Sequence, residues 1–303
     1  MSALSVDPLW PRAGDWPPPS SRADAVILGV PAHKTSLSPT GASKTPAAVR
    51  AALRRFSPTV LGPPPVDLDQ ALRIADAGDV ADPDGPEGEA RVRAAVSRLE
   101  AARLVIALGG DNSATYAVAQ GRGARGLITL DAHFDLRDGA SNGSPVRRLI
   151  ADGLDPRRIV QIGIADFANS AAYARRAYDA GITVITIDEV RRRGLDDVVA
   201  EALRIAGGDR QGAATGDATG GIHLDVDVDV CDRSVAPGCP ASVPGGLAAW
   251  ELRALVRGLS RDPGVTSADI VEVDATADAA DGRTVRLAAL CVLELLAGLA
   301  ERP

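Results

Sequence analysis

The sequence predicts an α/β protein built on a mainly parallel sheet. Seven short apolar runs recur along its 303 residues, each bounded by Gly, Asp or Pro, which is how strands buried on both faces read. Stretches with helical spacing alternate with them, the pattern of successive β/α units. No solenoid-type repeat and no shift in composition divides the chain, so residues 23–303 are expected to form a single domain.

The elements follow in order. Residues 1–22 are rich in Pro and are expected to lie as an arm over the body, with Trp10 and Trp16 as anchors. AVILGVP (25–31) is the first strand. TPAAVRAALRRF (45–56) follows as a helix, with Thr45 as N-cap and Pro46 as the first helical residue. GPPP (62–65) and DPDGPEGE (82–89) are loops, and EARVRAAVSRLEAARL (89–104) is a helix leading into the strand RLVIALGG (103–110). GLITLDA (126–132) and RIVQIGIA (158–165) are strands, and the helix ANSAAYARRAYDAG (168–181) joins the second of them to the strand ITVITID (182–188). After the helix LDDVVAEALRIAGG (195–208) comes a low-complexity loop, GGDRQGAATGDATGG (207–221). The strand GIHLDVDV (221–228), the helix AAWELRALVRGLS (248–260), the strand ADIVEVDA (268–275) and the helix RTVRLAALCVLELLAGLA (283–300) complete the chain.

Composition narrows the function. A net charge of −7, with no block of Lys or Arg, argues against nucleic acid or a membrane surface as partner and for small-molecule chemistry. Three cysteines, Cys231, Cys239 and Cys291, form no CxxC pair and no disulfide framework, which fits a reducing cytoplasm. No basic segment followed by an apolar one opens the chain, and no run is long and apolar enough to span a bilayer.

In open parallel sheets, sites gather beyond the carboxyl ends of the strands, so the polar residues that close the apolar runs draw notice. Asp111 and Asn112 close one run, and Asp131, His133 and Asp135 close another. Asp225, Asp227, Asp229 and Asp232 follow GIHL, while Glu272 stands in DIVEVDATAD. At strand spacing, side chains two apart share a face, so each triplet would crowd its acids together and call for a cation. Many carboxylates with one imidazole suit manganese or magnesium better than zinc or copper.

GGDN (109–112), DAHFD (131–135), DVDVCDRSVAPG (227–238) and VEVD (271–274), in this order, resemble the signatures of the arginase/agmatinase/formimidoylglutamase (ureohydrolase) family. VPAHKTSLSPTGASKTPAAVR (30–50) resembles its first strand, substrate loop and helix, so the likeness covers most of the chain. It implies a three-layer α/β/α sandwich, two manganese ions, a small amidine or guanidine substrate and a homo-oligomer, trimeric or hexameric. Aligned on Ala236-Pro237-Gly238, the resemblance makes Asp131 and Asp227 bridging ligands. It gives His133 and Asp229 to one metal site, Asp135 and Asn112 to the other, and leaves Asp225 as an extra carboxylate. It gives Glu272 the cationic end of the substrate and Asp135 a proton for the leaving amine.

Two departures stand out. Most relatives have His where this chain has Asn112, so that site is expected to be weak or empty. Arginases carry His where Asn142 stands; formimidoylglutamases lack it and show an SxGxP-like segment, here SNGSPVRRL (141–149). With DAHFDLR and APGCPAS (236–242), this brings the chain closest to the formimidoylglutamase branch, which implies hydrolysis of N-formimino-L-glutamate to glutamate and formamide. Arg137, Asn142, Arg147 and Arg148 are then candidates to hold the substrate. A guanidine hydrolase releasing urea, and a catalytically silent metal-binding relative, are the alternatives. His33 and His223 read as structural or substrate-loop residues, and Cys239 as a packing residue.

Overall fold

All seven expected strands join one parallel sheet in the computed structural model, which describes residues 7–208 and 221–303. They are β1 (Ala25–Val30), β5 (Leu104–Gly109), β6 (Gly126–Leu130), β7 (Ile159–Ile164), β8 (Thr183–Thr186), β9 (Ile222–Asp227) and β10 (Val265–Val271). An eighth, β4 (Ile74–Asp79), lies at one edge, giving the order β4-β1-β5-β10-β9-β6-β7-β8 with every neighbouring pair parallel. Sequence reading passed over IADAGD because an edge strand buries only part of its length and shows no continuous apolar run; here the last three residues are exposed. The segment GPPP turns a small antiparallel hairpin of β2 (Thr59–Val60) and β3 (Val66–Asp67).

Helices cover both faces. α3 (Gly85–Ser97), α4 (Ser113–Gly121), α5 (Pro145–Ala151) and α6 (Ala171–Ala180) pack over one. α1 (Thr45–Leu53), α7 (Ile187–Arg193), α8 (Leu195–Gly207), α9 (Ala249–Ser260) and α10 (Arg283–Ala300) pack over the other, and α2 (Leu68–Ala71) touches α10. The sandwich is therefore α/β/α. Isoleucine, leucine and valine on alternate strand positions, such as Ile106, Leu108, Leu224 and Val226, form the larger core beneath α1, α9 and α10. Among the described residues no helix is long and apolar enough to cross a membrane.

Local chemistry moved several boundaries. Thr45 is the first residue of α1, not its cap: its hydroxyl donates to the carbonyl of Val273, tying the helix to the strand end that bears Glu272. ITVITID stops at Thr186 because Thr186 and Glu189 form a capping box that opens α7. α3 begins at Gly85, inside the expected 82–89 loop, and ends at Ser97. In the arm, Trp16 donates its indole N–H to Asp69 at 2.9 Å, whereas Trp10 is 56% exposed. Most of the expected 207–221 loop lies outside the described residues.

Candidate metal centre and cavity

The carboxyl ends of β5, β10, β9 and β6 lie side by side in the middle of the sheet, and the residues just beyond them meet there. Strand pairing decides which. β6 ends at Leu130, so Asp131, His133 and Asp135 occupy a loop rather than one strand face. β9 ends at Asp227, and Asp229 lies in a 3-10 turn, Val228–Val230, whose first N–H groups need an acceptor; Asp227 Oδ1 accepts from Asp229 N at 2.8 Å. The expected shared face of the DxDxD triplet thus applies to Asp225 and Asp227 only. Glu272 is the first residue past β10. Both Asp135 (φ 53°) and Glu272 (φ 60°) adopt the left-handed region that side chains with a Cβ rarely enter, a cost that packing around the site must offset.

Asp131, His133 and Asp229 offer ligand atoms within 4.8 Å of one another. His133 Nδ1 lies 3.0 Å from Asp229 Oδ2 and 3.4 Å from Asp131 Oδ1. Asp131 Oδ2 is buried with no partner among the described residues. Asp135 is held by Asn112, whose Nδ2 donates to its Oδ2, while Asn112 Oδ1 accepts from the Thr115 hydroxyl at 2.6 Å.

Burial without counter-charge perturbs these groups. Burial and then Asp229 push Asp131 up to about 6, and burial with Asp131 carries Asp135 well above the carboxylate range. Asp227 is raised likewise by burial and Asp229, and Glu272 by burial and Asp111, to about 8. Burial opposes charging of His133, yet Asp229 and Asp131 raise it to about 12; that imidazolium in turn holds Asp229 low against its own burial.

The sign of the pH effect follows. Each raised group keeps protons in the folded chain that the unfolded chain gives up as pH climbs past its ordinary value, so stability falls with rising pH. The depressed Asp229 acts only in acid. The melting midpoint of metal-stripped protein is expected to drop by roughly 5 °C or more between pH 5 and pH 8 and to recover with a divalent cation. A midpoint of the metal-stripped protein that stays flat across that range would contradict the assignment of these charges.

One pleat below lies a buried polar row. Gln161, Thr129, Asp225 and Asp269 are successive register partners across β7, β6, β9 and β10. Burial and Asp269 push Asp225 well above the usual range. His223, fully buried, meets Asp269 Oδ2 at 3.1 Å and the Ser267 hydroxyl at 2.9 Å, which is a structural role. His33, on the 31–41 loop, lies 3.4 Å from Asp84. Cys231, Cys239 and Cys291 are buried and unpaired.

Above the acids opens a cavity of about 270 Å³, with His133, Asp135, Asp227, Asp229 and Glu272 at its floor. Arg137 and Asn142 line its wall; Arg147 does not. Arg147 Nε donates to the Arg137 carbonyl at 2.7 Å and its Nη2 to that of Gly139, so it braces the 137–139 loop. Arg148 pairs with Glu89 at 2.7 and 2.8 Å and stacks 3.6 Å above Tyr116, also away from the cavity. Sequence reading gave no role to Asp84, Asp111 and Asp274, which pin the 33–41 loop through His33 N, Lys34 N, the Ser36 hydroxyl and Gly41 N. It also missed Asn169, which donates to the Ala132 carbonyl at 2.8 Å and accepts from Phe134 N at 3.1 Å. Asp111 and Asp274 stand inside GGDN and VEVD, whereas the signal for Asp84 and Asn169 was only a polar residue in a loop.

An α/β/α sandwich with an acid-rich, single-imidazole cluster at the switch in strand order defines a class of metal-dependent hydrolases. Residues 23–298 match the model of the arginase family, and the chain belongs to that family. It is 36% identical to the formimidoylglutamase of Halalkalibacterium halodurans over 98% of this chain and 95% of the relative. The crystal structure of formimidoylglutamase from Bacillus subtilis superposes with a TM-score of 0.86 at 30% identity, covering 100% of this chain and 96% of that one. A structure of Trypanosoma cruzi formiminoglutamase with Mn2+ gives a TM-score of 0.81 at 25% identity, over 93% and 95% of the two chains.

Proposed function

We propose that the chain hydrolyses N-formimidoyl-L-glutamate to glutamate and formamide with two manganese ions, in a unit formed by residues 23–303. The observation that carries this reading is the polarity of the cavity: one arginine, Arg137, lines it together with the carboxylates Asp135, Asp227, Asp229 and Glu272. A ligand suited to it is anionic at one end and cationic at the other, as a formimidoyl amino diacid is. The likeness to formimidoylglutamases supports it.

The residues fit a metal pair. Asp131 Oδ2 lacks a partner, the clustered acids need positive charge, and oxygen donors with one imidazole suit manganese. Asp131, His133, Asp135, Asp227, Asp229 and Asn112 would hold it. When bound, it supplies the Lewis acidity that makes water nucleophilic at neutral pH.

The protein's own groups do the rest. Glu272 pairs with the amidinium and keeps it cationic, so that its central carbon stays open to attack. Arg137 holds a substrate carboxylate and so fixes the amidine over the floor. Asp135, through the oxygen that Asn112 does not occupy, carries a proton to the departing amine nitrogen. Leu37, Phe134 and Leu136 narrow the access of bulk water.

An assay for formamide against urea, with manganese-loaded protein and a panel of amidines and guanidines, tests the reading. Formamide from the formimidoyl diacid is expected, and Arg137→Ala should raise KM roughly tenfold or more with a smaller change in kcat. Urea from guanidines with no formamide would overturn it.

Asn112 carries a separate expectation. A carboxamide is a weaker donor than imidazole, and its oxygen already accepts from Thr115, so its metal should bind less tightly than that at His133. Manganese titration of stripped protein should show a tight and a weak step, the weak one tightening about tenfold or more in Asn112→His. Two equally tight steps would place residue 112 outside the ligand set.

A further inference from the structure

The two oxygens of Glu272 are not equivalent. Oε1 accepts from the backbone N–H of Asn112 at 2.7 Å and from Asn142 Nδ2 at 2.8 Å, which fills both of its lone-pair directions. Oε2 has no donor among the described residues, and Glu272 lines the cavity. The orientation of the Asn142 amide is set from its other end, where Oδ1 accepts from Leu37 N at 3.0 Å; a flipped amide would put oxygen against Oε1 and N–H against N–H. Asn142 N also donates to the Thr35 carbonyl at 3.4 Å. The next residue packs closely, since a Cβ on Gly143 would lie 2.9 Å from Arg137 Cδ and 3.1 Å from Leu37 Cδ1.

We propose that Asn142 is a specificity-determining residue: by occupying Oε1 of Glu272 it confines cation recognition to Oε2, and so selects a formimidoyl group over a guanidino group. This rests on the functional reading above. An alkylguanidinium presents five N–H donors in a planar fork, and its strongest partner is a carboxylate that offers both oxygens. Replacing one amino group by hydrogen removes two of those donors and puts a C–H in their place. Against a carboxylate with one oxygen already taken, the extra amino group of the guanidine meets the N–H groups of Asn142 and Asn112 and loses its acceptor on entering the wall. A buried donor left unpaired is a strong ground for rejection, stronger than a change in pocket size. Asn142 therefore acts through Glu272 and need not touch the substrate, which revises its expected role as a direct substrate contact.

The test uses a matched pair: N-formimidoyl-L-glutamate and N-carbamimidoyl-L-glutamate, which differ only by hydrogen against amino on the reacting carbon. Formamide and urea release are measured for the manganese-loaded protein, for Asn142→Ala and for the near-isosteric Asn142→Leu, which keeps the volume if the alanine variant folds poorly. Binding of both compounds to metal-free protein is followed by calorimetry. The unmodified protein should favour the formimidoyl compound, and both variants should reduce the ratio of the two kcat/KM values about tenfold or more, with the ratio of dissociation constants moving the same way. A parallel loss on both compounds, leaving the ratios within about twofold, would show a purely structural residue and overturn the proposal while leaving the functional reading intact. Unmodified protein that prefers the guanidino compound would overturn both.

Discussion

Asp227→Ala is expected to abolish metal binding and turnover together, with activity down by roughly a thousandfold or more, as when one member of a unit is removed. Asp227 ends the strand and, through Oδ1, caps the turn that presents Asp229, so its loss takes away one proposed ligand and displaces another. The loss of the cap alone should cost about 1 kcal/mol of stability in metal-free protein. Asp225→Asn is the control: Asp225 points into the same face one pleat below, and that variant should still bind manganese. Inductively coupled plasma measurements of bound metal, read beside kcat, decide the matter; full metal and full activity in Asp227→Ala would assign the bridging position to Asp225 instead.

Glu272→Gln should lower kcat/KM about 10² to 10³-fold and leave metal content unchanged, because it removes the charge facing the amidinium and little else. The amide can be oriented with oxygen toward Asn112 N and Asn142 Nδ2, so the two hydrogen bonds that shape the wall survive. If metal is lost as well, Glu272 is a ligand and the pairing with substrate fails.

What could be read from the sequence was whatever local pattern encodes. Buried central strands such as RLVIALGG announce themselves, and the acids that close them mark the end of the sheet where a site belongs. The edge strand at 74–79 did not, since it is half exposed. The meeting of Asp225 with Asp269 depends on the register of strands β9 and β10, which no window of sequence contains. The arginines failed for a different reason: Arg137, Arg147 and Arg148 are alike as letters, yet one lines the cavity, one braces a loop and one pairs with Glu89. Asn142 could be picked out by its place in SNGSP, but its task is set by Leu37 and Glu272, both far away along the chain.

The crowding of buried acids has a consequence for the life of the protein after synthesis. A chain that has folded but not yet acquired ions holds its crowded acids beyond the carboxyl ends of the strands, and the stability they cost raises the share of opened chain that proteases can cut. On the proposed reading, each tenfold excess of free ion over its dissociation constant adds about 1.4 kcal/mol to the folded state. Abundance would then track the supply of metal as much as the rate of translation. A shortage of manganese would deplete the protein itself, beyond slowing each molecule.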